Sequence, residues 1–152
     1  MAAPILVMAV GNESRGDDAL APLLIRQLQT EAPEQVEFIE DYQLQVEHVT
    51  DLHGRRAVLF VDADVSCDAP FQLSMITAAH DNSYTSHAMS PFALLHAYRQ
   101  FYDTNAPPCY LLRIRGYGFE LGESLSADAE RNLELATTYL PTLLADITRS
   151  RE

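Results

Sequence analysis

Ile5-Leu6-Val7-Met8-Ala9-Val10-Gly11-Asn12-Glu13-Ser14-Arg15-Gly16-Asp17-Asp18-Ala19-Leu20 decides how this chain folds. An unbroken apolar run stops at Gly11-Asn12. A run of that length without alternation is a strand buried on both faces. A polar loop follows and ends in two adjacent aspartates. Leu20, Leu23, Leu24 and Leu28 then repeat at helical spacing. Pro22 suits the first turn of that helix, where the missing N–H costs nothing. Asp17 or Asp18 is expected to cap it, since a carboxylate satisfies the free N–H groups and the positive end of the dipole.

The same alternation of strand and helix continues outward. Val36-Glu37-Phe38-Ile39 is the second strand, with a helical turn expected over 46–52. Ala57-Val58-Leu59-Phe60-Val61 is a third apolar strand ending in Asp62-Ala63-Asp64. Phe71, Leu73 and Met75 alternate with polar or small residues, the mark of an edge or antiparallel strand. Ser90-Pro91 opens a helix with a buried stripe of Leu94, Leu95, Tyr98, Phe101 and Tyr102. Cys109–Arg115 is the last strand. Ser126 starts a long helix whose stripe is Ala129, Leu133, Ala136, Leu140, Leu143 and Ile147; Pro141 within it is a candidate kink. Strands alternating with helices predict an α/β fold with a mostly parallel sheet and one antiparallel strand, in a single domain over 1–152.

Composition narrows the function. The 152 residues carry a net charge of −12 and are 47% apolar. A field of that sign disfavours nucleic acid and anionic lipid and favours cationic or metal-bearing partners. Lysine is absent and all ten basic residues are arginine. Schiff-base lysine, Ser-Lys and P-loop chemistries are therefore closed. Cys67 and Cys109 have neither zinc spacing nor a disulfide framework, and read as buried thiols in a reducing compartment. The apolar run over 4–10 is too short to span a membrane and has no basic leader, so a cytoplasmic protein is expected.

Sites on open α/β sheets lie beyond the carboxyl ends of the strands. Asp18 follows the first strand, Asp62 ends the third, and the His87 loop precedes a helix on what could be the same rim. Two carboxylates and an imidazole suit a borderline divalent metal such as nickel or zinc. The same residues also read as capping acids and a loop histidine. Leu59-Phe60-Val61-Asp62-Ala63-Asp64-Val65 resembles the nucleophile segment of haloacid-dehalogenase phosphatases, using Asp62 and Asp64, though without the later lysine. The Gly11–Gly16 loop matches no nucleotide fingerprint, and its acids repel phosphate. No nucleophile elbow is present. His48, His53, His80 and His96 read as surface or loop residues, His48 gaining interest from Gln43, Gln45 and Glu47 around it. Arg113 and Arg115 are expected to pair with acids.

Gly11-Asn12 with Gly16-Asp17-Asp18, Val61-Asp62-Ala63 and Thr85-Ser86-His87 occur in the order seen in the maturation endopeptidases of nickel–iron hydrogenases, which the whole chain resembles. Asp41–His48 and Gly118–Leu125 look like the branch serving cytoplasmic, NAD-linked hydrogenases. The resemblance implies a three-layer α/β/α sandwich on a five-stranded twisted sheet. It implies removal of a C-terminal peptide from the hydrogenase large-subunit precursor after nickel insertion. Asp18, Asp62 and His87 would then be the metal ligands and catalytic set. The nickel would be the precursor's own, so that the isolated protein could hold none. Asp41, Gln43, Gln45 and His48 would contact the peptide. Two departures stand out: Ala19 and Ala21 replace the usual glycines after the acid pair, and Asp41-Tyr42-Gln43 replaces Asp-Gly-Gly. A nickel-sensing chaperone that binds the precursor without cutting is the alternative.

Overall fold

A computed structural model describes residues 3–29, 34–79 and 89–150. Five strands, β1 (Ile5–Val10), β2 (Val36–Asp41), β3 (Ala57–Asp64), β4 (Phe71–Ile76) and β5 (Cys109–Arg115), form one sheet in the order β2-β1-β3-β5-β4. All neighbours are parallel except β4, which runs antiparallel to β5 at the edge. The period of two over 71–76 thus marks what it should: a strand with one neighbour and a half-exposed surface.

Helices cover both faces because the central strands bury both of theirs. Ile5, Val7, Ala9, Leu59 and Val61 point to one side, against α1 (Leu20–Leu28) and α4 (Ala127–Ser150). Leu6, Met8, Val58 and Phe60 point to the other, against α2 (Val49–Leu52) and α3 (Pro91–Tyr102). The stripe of α4 is buried along its whole length, from Ala129 to Ile147, and the helix continues through Pro141. The Ser90 hydroxyl accepts the Ala93 N–H at 3.1 Å, and that of Ser126 accepts the Ala129 N–H at 3.2 Å, so both helices begin on side-chain caps.

Four expectations need correction. Phe101 is exposed and lies outside the buried stripe of α3, which consists of Ala93, Leu94, Leu95 and Tyr98. The helix ends two residues later at left-handed Asp103, so Phe101 lies in its last turn; its ring meets only the edge of Tyr102 at 4.9 Å, while Tyr102 stacks on His53 at 4.1 Å. His48 is buried rather than superficial, and His96 is half-buried on α3. Asp62 lies inside β3, because pairing with β5 continues through Asp64↔Arg115. Neither aspartate caps α1: no side-chain cap is made at its start or at the 3-10 turn Gly16–Ala19 before it. Both cysteines are buried and free.

β1 leads to β2 on one side and the chain then returns to β3 on the other. The carboxyl ends of β1 and β3 therefore bound a crevice where connections diverge, the usual place for a site in an open α/β sheet.

Candidate functional site

β1 ends at Val10, level with Asp62 on β3. Beyond that level the chain turns sharply at Gly11. A Cβ there would lie 2.1 Å from the Asp18 carbonyl oxygen, so only glycine lets the loop close on the turn that carries the acids. Gly11→Ala should therefore cost at least about 2 kcal/mol, through a backbone clash rather than lost packing. A denaturation midpoint unchanged from wild type would refute that reading. Gly16 sits at a φ of +55°, and its Cβ position is 2.5 Å from the Gly118 carbonyl oxygen, which locks the first loop under the last.

The two adjacent aspartates part company here. Asp17 is buried and accepts four hydrogen bonds: from Tyr117 N–H at 2.7 Å, Gly118 N–H at 3.2 Å, Ser126 N–H at 2.8 Å and Ser126 Oγ–H at 2.8 Å. Burial works to raise its pKa, but the bonds from Ser126, Tyr117 and Gly118 outweigh it and hold the carboxyl below the ordinary value. Asp17 is structural, and what it secures is the 116–118 loop and the start of α4, not its own helix.

Asp18 faces the crevice. Its Oδ2 accepts the Asn12 N–H at 2.8 Å. Burial nonetheless raises its pKa, offset only in part by Asn12 and Arg15. Asp62 is perturbed further. Burial pushes it up to about 7, and the charge of Asp18 comes next among the causes, followed by the opposing Ala63 bond and the charge of Asp64. Asp18 and Asp62 are thus two half-buried carboxylates close enough to repel one another. Neither forms an ion pair among the described residues. Such a pair takes up either a shared proton or a cation. His87, the expected third member, lies outside the described residues, as does His80. Among the described residues no three His, Cys, Asp or Glu side chains converge as a metal site.

Asp64 is engaged elsewhere: its Oδ1 accepts from Ser66 N–H and Oγ–H, and Arg113 lies 3.5 Å from its Oδ2. The phosphatase-like segment therefore has its second acid already occupied. Arg113 pairs with an acid as expected. Arg115 instead donates to the carbonyls of Cys67 and Gly116 and lies over the Tyr117 ring.

The segment after β2 forms the next wall. His48 Nδ1 accepts the Gln45 N–H at 2.9 Å, so Nε2 carries the proton and faces Asp41 Oδ2 at 3.3 Å. The other Asp41 oxygen accepts the Tyr42 N–H at 2.7 Å. Gly11, Glu40, Asp41 and Tyr42 line a shallow depression of about 220 Å³. Arg26 clamps Glu13 of the first loop to Glu40. Of the expected peptide contacts, Asp41 and His48 are brought together, Gln43 is half-buried and Gln45 is exposed. Sequence reading missed Asn12 and the anchors of Asp17. Gly116, Gly118 and the capping Ser126 were the only local hints, and they do not name a partner.

No protein-family model matches the sequence, and no curated protein matches it. Solved structures do. The hydrogenase maturating endopeptidase HybD from E. coli superposes with a TM-score of 0.74 at 23% identity, covering 96% of this chain and 93% of its own. The [NiFe] hydrogenase maturation protease HycI from Thermococcus kodakarensis KOD1 gives 0.68 at 18% identity, over 97% and 93%. The hydrogenase 2 maturation peptidase from Thaumarchaeota archaeon SCGC_AB-539-E09 gives 0.66 at 20%, over 93% and 97%. The chain therefore shares their fold along nearly its whole length.

Proposed function

We propose that this protein is an endopeptidase that removes a C-terminal peptide from the nickel-loaded large-subunit precursor of a nickel–iron hydrogenase. The observation that carries the reading is the Asp18–Asp62 carboxylate couple at the β1/β3 crevice, without an ion pair among the described residues, on a fold shared with proteins described as hydrogenase maturation proteases. Two carboxylates whose mutual repulsion is only partly offset by Asn12 and Arg15 suit a cation brought by the substrate. Asp18, Asp62 and His87 would read the nickel held in the precursor, so metal-free precursor is refused. The nickel is part of the substrate.

Hydrolysis needs a water to add to the scissile carbonyl, a group to take its proton, and a proton for the leaving amine. A carboxyl near neutrality, as at Asp62, is suited to such proton transfer, and the substrate's nickel can polarise the water or the carbonyl. Asp41 and His48, with Gln43 and Gln45, would line the peptide's path. The Asp41-Tyr42-Gln43 segment supports a substrate from the cytoplasmic NAD-linked branch. Among the described residues no helix is long and apolar enough to cross a membrane.

Incubation with nickel-loaded precursor tests the reading. The expected product is a large subunit shortened by a small C-terminal fragment, seen by mass spectrometry. Asp18→Ala, Asp62→Ala and His87→Ala should each abolish the product while keeping the wild-type circular dichroism spectrum. A stable complex with uncut precursor would replace the protease by a nickel-sensing chaperone. Normal processing by all three variants would overturn the site.

A further inference from the structure

Among the described residues the large apolar side chains left exposed are not scattered. Of those eight, five follow the carboxyl ends of parallel strands: Tyr42 and Val46 after β2, Val65 after β3, and Tyr117 and Leu121 after β5. Leu121 and Tyr42 are the most open of these, at 68% and 67%. Isolated exposed apolar residues need no explanation, but five of them in the loops at one end of a sheet do.

The loops that carry them are joined to each other. Gly11 N–H donates to the Asp41 carbonyl beside Tyr42. Gly122 N–H donates to the Ser14 carbonyl and Gly16 N–H to that of Glu123, which ties the Leu121 turn to the first loop. Arg115 links Cys67, two residues past Val65, to the Tyr117 ring. Asp17 pins the 116–118 segment from beneath. The apolar groups thus stand on a braced rim, and their order is already fixed before any partner arrives. Pre-ordered apolar side chains lose little freedom on contact, which is what lets them add affinity to a protein interface. Exposed acids, Glu13, Glu47, Glu120 and Glu123, lie among them, with Arg15 the exposed base of the first loop.

We propose that Tyr42, Val46, Val65, Tyr117 and Leu121 form a docking surface around the Asp18–Asp62 crevice for a folded partner protein that meets this rim with apolar side chains and meets Glu13, Glu47, Glu120 and Glu123 with basic ones. This rests on the function proposed above and deepens it: the substrate is recognised as a folded surface, beyond its metal and its peptide tail.

The test uses nickel-loaded folded precursor, with complex formation read by analytical ultracentrifugation and processing read by initial rates. Tyr42→Ser and Leu121→Ser should each raise KM, and weaken the complex, about tenfold with little change in kcat. Phe101→Ser and Met75→Ser, equally exposed but away from the rim, should leave both unchanged. Raising the salt concentration should raise the wild-type KM. Rim variants with wild-type KM and affinity, or control variants that weaken binding as much, would overturn the surface. Wild-type protein that binds precursor without cutting it would instead overturn the peptidase reading, leaving the rim variants to judge the surface by affinity alone.

Discussion

Asp62→Asn is expected to make the protein more stable above pH 7 and, on the function proposed above, to abolish processing of the precursor. In the folded state burial, the charge of Asp18 and that of Asp64 lift the Asp62 carboxyl from 3.8 to about 7. The folded protein then keeps a proton that the unfolded chain releases. Stability is fullest below pH 3.8 as far as this group is concerned, falls as pH rises from 3.8 to about 7, and levels off above. A difference of about 3 units corresponds to at most ~4 kcal/mol, and partial contact with water reduces it. A gain of about 2 kcal/mol at pH 8 is therefore the expected size for the uncharged isostere. Urea unfolding of both proteins at pH 4, 5.5 and 8 should show curves that coincide at the acid end and diverge toward neutrality. Parallel curves across that range would place the origin of the slope in another group. A site that weakens its own fold at working pH is the usual mark of function over stability.

Asp17→Ala should do the opposite, although it is the adjacent residue. Its removal strands the N–H groups of Tyr117, Gly118 and Ser126 and the Ser126 hydroxyl, all in part-buried positions. Unpaired buried donors cost about 1–3 kcal/mol each, with some recovered by water, so a loss of about 3–5 kcal/mol is expected. The carboxyl is held below its ordinary value, so its contribution is complete above pH 3.8 and is lost as pH falls through the lower folded value. Asp18→Ala removes one hydrogen bond but also one charge facing Asp62, and should change stability little. Equal destabilisation by the two alanine variants would refute the division of roles.

What could be read from residues alone divides along physical lines. The apolar runs of β1 and β3, the alternation over 71–76 and the stripe of α4 are local patterns with a local cause, and each became the expected element. The capping serines at 90 and 126 are equally local. Phe101 misled because helical spacing continues to the end of a helix whether or not anything remains to pack against it. His48 misled because Gln43, Gln45 and Glu47 mark the segment as polar, while the structure buries the ring, with its Nδ1 bonded to the Gln45 N–H. Asp18 and Asp62 were legible only through topology, since the divergence of the β1 and β3 connections is what brings them together. The fourfold bonding of Asp17 was beyond reach, for its donors are distant in sequence and carry no motif.

That separation has a consequence for how the molecule is made. The partners of Asp17 follow it by 100 to 109 residues. A ribosome emits the acid-bearing turn early and the groups that fix it late, so the nascent chain carries Asp17 unsatisfied through most of its synthesis. The crevice can take its final shape only when the chain has passed Ser126. The crevice is therefore completed late in translation, and a chain terminated before Tyr117 lacks every donor that holds Asp17 in place.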